Sequence, residues 1–195
     1  MTYYTLSDPC TATLEIKKSQ FLGFGFAIDS REQLMFHVEQ LRNQYPDARH
    51  VCYGYIIGDP HNTTSAGFDD DGEPSGTAGK PILNVLQHKG IGNCVVIVVR
   101  YFGGIKLGAG GLTRAYSSTA QAVVDNMNLH AFVPLSVIMI ETDFANESFV
   151  RHTLDGFNAT ILKVDYGKNV VLTVELAQKS VQVLSEKIGF YGNLK

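Results

Sequence analysis

The most constraining stretch of this chain is Val95-Val96-Ile97-Val98-Val99. β-Branched side chains are stiff at χ1 and favour extended backbone. An unbroken aliphatic run, in place of an alternating one, describes a strand buried on both faces. Five residues fall far short of the roughly 20 that a membrane-spanning helix needs.

At 195 residues the chain corresponds to about 1.3 typical domains, so one large or two small domains are expected. That length can bury a core without metal or disulfide staples. Sixteen Lys and Arg against 19 Asp and Glu give a net charge of −3, and 18% charged with 45% hydrophobic residues describes a compact globule. A negative total argues against a strongly basic nucleic-acid binder while leaving room for a local basic patch. Cys10, Cys52 and Cys94 are odd in number and form no C-x-x-C, which disfavours zinc knuckles and a disulfide framework. The six histidines show no ligand spacing, so no structural zinc site is expected. The first ten residues lack a basic start followed by an apolar stretch, so the expectation is a cytoplasmic protein without a membrane segment.

Along the chain, residues 11–17 and 21–29 read as a strand pair. Ser30 and Gln33 form a capping box before a helix with Leu34, Val38, Leu41 and Tyr45 on one face, ended by Pro46. Residues 50–57 read as a strand. From 58 to 78 no periodicity survives, and a loop of that length tends to be functional. Pro81 is expected to open a short helix with Ile82, Val85 and Leu86 inward. After the aliphatic strand and a glycine-rich turn, Leu112, Ala115, Tyr116, Thr119, Val123 and Met127 form the inner stripe of another helix. The composition shifts near Val133. Beyond it the pattern is strand (135–143), helix (146–155), strand (159–165), strand (170–176) and helix (180–188), the β-α-β-β-α order of ferredoxin-like domains. The expected fold class is α+β, with domains at 1–133 and 134–195.

Two segments could carry chemistry. In 67–81, Asp69, Asp71 and Glu73 could together hold a hard cation. An EF-hand fails, because Pro74 stands where its glycine belongs. A turn whose carboxylates accept local amides, or a recognition surface including Thr77 and Lys80, are the alternatives. In 100–116, glycines precede a helix start, where free N–H groups and the helix dipole favour anions. Arg100, Lys106 and Arg114 add cations, while Tyr101, Phe102 and Tyr116 could offer stacking faces. Gly103, Gly104, Gly108, Gly110 and Gly111 would let a phosphate or nucleic-acid backbone approach. Tight packing of helix on sheet explains the same glycines. The Gly108-x-Gly110 pattern lacks the third glycine of a dinucleotide fingerprint, and no P-loop is present. Ser75 lies outside a nucleophile elbow, and no nucleophile is paired with a base, so no catalytic residue and no cofactor are expected.

Two runs together are specific. Asp69-Asp70-Asp71-Gly72-Glu73-Pro74-Ser75-Gly76-Thr77-Ala78-Gly79-Lys80-Pro81 and Val98-Val99-Arg100-Tyr101-Phe102-Gly103-Gly104-Ile105-Lys106-Leu107-Gly108-Ala109-Gly110-Gly111-Leu112-Thr113-Arg114-Ala115-Tyr116 resemble the signature of the IMPACT family. Ile16-Lys17-Lys18-Ser19-Gln20-Phe21 and Tyr45-Pro46-Asp47-Ala48-Arg49-His50 add weaker likeness in the same order, and the overall organisation is similar to the bacterial, YigZ-like branch. The resemblance implies an N-terminal domain like the second domain of ribosomal protein S-five and domain four of the translocation elongation factor. It also implies a ferredoxin-like C-terminal domain similar to that factor's domain five.

The implied function is a non-enzymatic regulatory module of translation, contacting RNA, the ribosome or a translation-factor protein through the basic glycine-rich segment. A protein adaptor using the acidic loop is one alternative. The other is a phosphate-handling enzyme in which Asp71 or Glu73 holds magnesium and Lys80 or Lys106 steadies phosphate; it rests on fold analogy.

Overall fold

A computed structural model describes residues 3–194, which divide into two units with the boundary between Phe132 and Val133. The first contains β1 (Tyr3–Leu6), β2 (Cys10–Ile16), β3 (Ser19–Ala27), α1 (Arg31–Gln44), β4 (His50–Asp59), β5 (Asn62–Asp69), α2 (Gly79–His88), β6 (Cys94–Tyr101), α3 (Ala109–Asp125) and β7 (Leu129–Phe132). Five strands form an antiparallel sheet in the order β2-β3-β6-β4-β5. The aliphatic run lies in its central strand. Val96 and Val98 join the core beneath α2 and α3, with Leu86, Leu112, Tyr116 and Val123. Val95, Ile97 and Val99 join the core beneath α1, with Leu34, Val38 and Leu41. Both faces of β6 are covered, which is why its sequence shows no polar alternation.

α2 lies close to the sheet because β4 carries a glycine there. A Cβ on Gly54 would sit 2.5 Å from the backbone nitrogen of Leu83 and 2.8 Å from its Cα. Main chain cannot swing aside as a side-chain tip can. Gly54→Ala is therefore expected to lower stability by about 1–3 kcal/mol, the usual cost of overpacking, read as an earlier urea midpoint.

The segment 58–78 is not one long loop. Residues 62–69 form β5, paired with β4 from Asp59↔Asn62 to Tyr53↔Asp69, with a bulge at Ile57/Gly58. As an edge strand with exposed Thr63 and Thr64 it has little to bury, so the apolar alternation that marks a strand is missing. The true loop is 70–78. The ribbon of β1 with β7, where Tyr3 and Phe132 stack at 4.8 Å, likewise left no periodic trace. The α1 cap departs slightly from a capping box. Ser30 accepts from the Gln33 amide, but the Gln33 side chain accepts from the amide of Asp29 rather than that of Ser30. α2 begins at Gly79, two residues before Pro81.

The second unit contains β8 (Leu135–Thr142), α4 (Glu147–Asp155), β9 (Thr160–Tyr166), β10 (Val170–Ala177), α5 (Val181–Ile188) and β11 (Asn193–Leu194). Its antiparallel sheet runs β11-β8-β10-β9. Ile140, Leu172 and Val174 pack with Val150, Leu154, Leu184 and Ile188 of the two helices. The two-residue β11 completes the β-α-β-β-α-β ferredoxin-like order. Among the described residues no helix is long and apolar enough to cross a membrane.

Candidate functional site

Strand β6 delivers the chain to the start of α3 through residues 102–108. Gly108 has φ +71° and ψ 166°, a conformation that suits glycine, and α3 begins at Ala109 with no side-chain cap and no acidic residue in its first turn. The amides of Ala109, Gly110 and Gly111 precede the first intrahelical bond, Leu112 N–H to the Gly108 carbonyl. They have no acceptor within the helix and carry its partial positive charge. A cleft of about 350 Å³ opens at this end, bounded by Arg49, His50, Arg100, Phe102, Lys106 and the first residues of α3. Arg49 and Lys106 are exposed at its rim.

Beside the cleft lies a buried polar network. Arg100 is only 5% exposed and Glu73 only 9%. Arg100 Nη1 donates to Glu73 Oε1 at 2.5 Å, and the Tyr116 hydroxyl donates to the same oxygen at 2.8 Å. The Cys52 thiol lies 3.4 Å from the Tyr116 oxygen and 3.1 Å from the carbonyl of Asp70. Phe21 and Phe102 place their rings 5.4 and 5.7 Å from the guanidinium carbon. Arg100 Nε is buried with no acceptor among the described residues. Burial above all, then the neighbouring Cys52 and Glu73, push the Tyr116 phenol far above its ordinary range, so it remains a donor. Burial likewise pushes the Cys52 and Cys94 thiols up, which leaves them unreactive.

Arg100 and Tyr116 therefore do not stand open to solvent, as phosphate and stacking contacts were expected to. The reason is parity and stripe. Arg100 follows Val96 and Val98 on the α3-facing side of β6, and Tyr116 belongs to the inner stripe of α3, where it is fully buried. Tyr101 falls on the opposite, α1-facing side and is half-buried. Gly103 N–H donates to Ser19 Oγ at 3.1 Å, fastening the turn to the β2–β3 hairpin, and Gly104 has φ +83°. Lys106, Gly108, Gly110 and Arg114 are exposed and Gly111 is half-buried. Arg49, which the sequence reading did not select, joins Lys106 at the rim. It immediately precedes β4, in the Tyr45–His50 run that carries part of the family likeness, and a lone surface arginine has no chemical signal beyond that.

The acidic loop is held from within. Asp70 accepts from the amides of Gly76, Ala78 and Gly79 at 2.7, 3.0 and 2.8 Å, supplying the cap that Ala78 cannot. Asp71 accepts from Val51 N–H at 2.7 Å and from Arg42 at 2.8 Å, while His50 Nδ1 donates to its carbonyl at 2.8 Å. Asp69 accepts from the Asp71 amide, and Thr77 donates to the Pro74 carbonyl. Of the expected recognition residues Asp69, Asp71, Glu73, Thr77 and Lys80, only Lys80 is exposed without such a contact among the described residues. No three His, Cys, Asp or Glu side chains among the described residues converge as a metal set. Asp70 was overlooked. Nothing in the sequence marks it, because the amides it caps lie eight and nine residues further along and only the folded loop brings them to its carboxylate.

Residues 17–124 match the Impact N-terminal domain, and residues 140–189 match a domain of unknown function, DUF1949. The IMPACT family member YigZ of Escherichia coli is 36% identical over 180 residues, 92% of this chain and 88% of that protein. A crystal structure of a hypothetical protein shares 33% identity and a TM-score of 0.73, covering 99% of this chain and 96% of its own. The structure of the two-domain translational regulator Yih1 is 26% identical with a TM-score of 0.36, covering 64% of this chain and 47% of its own. With a family domain spanning more than half its length and a relative similar almost end to end, this chain belongs to the IMPACT family.

Proposed function

We propose that this chain is a non-enzymatic regulatory module of translation that contacts structured RNA, as the ribosome presents it, through the rim of the α3 cleft. The observation that carries the reading is the uncapped start of α3 opening beside exposed Arg49 and Lys106, with Arg114 exposed further along the same helix. Free amides and flexible cations suit phosphates, which position a protein on nucleic acid without specifying sequence. Membership of the IMPACT family supports the same assignment.

Co-sedimentation with ribosomes at several salt concentrations tests it. Three phosphate contacts predict a slope of log affinity against log salt of about −2 to −2.7. Lys106→Glu with Arg114→Glu should weaken binding at low salt and flatten the slope by about 1.5. Arg100 is kept intact in this variant, because its loss would disturb the buried network. Binding indifferent to salt and to this double reversal would refute the proposal.

A further inference from the structure

We infer that the β2–β3 turn is a second RNA-contacting element of this chain, meeting phosphates through Lys17 and Lys18. This deepens the reading above and rests on its assignment of RNA as the partner. β2 ends at Ile16, β3 begins at Ser19 and these two residues pair directly, so Lys17-Lys18 is the whole loop. Both lysines have left-handed backbone, with φ +48° and +66°. A two-residue hairpin loop of this kind demands positive φ at both positions. Asn-Gly supplies it at little cost, whereas a Cβ-bearing lysine is strained there.

Nothing within the fold rewards the choice of lysine. Both side chains are exposed, and among the described residues no carboxylate pairs with either. A local preference overridden at two successive positions, with no local gain, marks a segment kept for contact with something outside the fold.

The turn is also held in place. A Cβ on Gly103 would overlap the carbonyl group of Lys18 and the backbone nitrogen of Ser19, so the two main chains pack directly on each other. Gly103 N–H donates to the buried Ser19 Oγ at 3.1 Å. Lys106 follows three residues later, exposed and likewise without a carboxylate partner among the described residues. Three uncompensated cations thus stand on two loops fastened together, in a chain whose net charge is −3. Lysine is a point charge on a flexible stem and meets phosphate oxygens without a fixed angle. A succession of such charges on a rigid backbone fits a polyanion, which RNA phosphates supply.

Lys17→Asn with Lys18→Gly tests the inference, because it removes both charges and gives the turn the residues its backbone prefers. In ribosome co-sedimentation, five phosphate contacts give the unaltered chain a log–log salt slope of about −3.5 to −4.5, against about −2 to −2.7 for the rim alone. The Asn-Gly variant should bind more weakly at low salt and flatten the slope by about 1.4–1.8, while its urea unfolding midpoint rises. Lys17→Arg with Lys18→Arg keeps the charges and should keep the slope. Protein-free ribosomal RNA should show the same dependence on the two lysines.

An Asn-Gly variant that resists more urea yet binds with the unaltered slope would overturn the contact. A midpoint that fails to rise would remove the strain and overturn it equally. Dependence on the lysines with whole ribosomes but not with bare RNA would assign the turn to an acidic protein surface and overturn the RNA contact. A slope flattened by Lys106→Glu with Arg114→Glu but not by the Asn-Gly change would leave the rim reading standing without the turn. The converse would leave the turn standing without the rim.

Discussion

Replacing Glu73 by alanine should destabilise the first unit by about 3–5 kcal/mol, the range for leaving one partner of a buried ion pair uncompensated. Glu73 Oε1 receives both the Arg100 guanidinium and the Tyr116 hydroxyl, and all three residues are less than one-tenth exposed. The carboxylate is the sole acceptor for Arg100 among the described residues, so its removal strands a cation between two phenyl rings. For a chain of this size the corresponding fall in Tm is roughly 6–20 °C. The double replacement Glu73→Leu with Arg100→Met should recover most of the loss, because removing both charges also removes the desolvation cost. A thermodynamic cycle over the two sites measures the coupling directly. A small effect of Glu73→Ala alone would mean that water reaches Arg100 freely and that the network is weaker than its burial implies.

Asp70→Ala should cost about 2–4 kcal/mol, a lost helix cap plus one or two orphaned amides. One carboxylate closes the loop 70–78 and caps α2 by accepting from Gly76, Ala78 and Gly79. Because Glu73 N–H also donates to the Asp70 carbonyl at 2.9 Å, the loop that presents Glu73 to Arg100 is organised around this residue. Asp70→Asn keeps an acceptor oxygen and should lose less. Hydrogen exchange would show the consequence locally, with faster exchange at Gly76, Ala78 and Gly79 under conditions where β6 stays protected. Unchanged exchange at those three amides would show that the carboxylate is dispensable.

Much of the architecture was legible along the chain because it rests on local patterns. The unbroken aliphatic run marks β6 as a strand covered on both faces, while the stripes of Leu34-Val38-Leu41 and Leu112-Tyr116-Val123 repeat with the period of the helix they form. β5, β7 and β11 left no such record. An edge strand or a two-residue strand buries too little to need a pattern, and its pairing is chosen by a partner distant in sequence.

The candidate site divides along the same line. Glycines before a helix, cations near them and an acidic loop were all visible as residue types, because backbone freedom and charge belong to the residue itself. Which cations face solvent was not visible. Arg100 is buried and Arg49 is at the rim because strand parity and the crossing of α3 over the sheet decide where each side chain points. Sequence alone determined the α+β organisation and the glycine-rich helix entry. Tertiary packing alone decided that Glu73, twenty-seven residues before Arg100, would neutralise it, since that pairing arises only when a loop and a central strand meet in space.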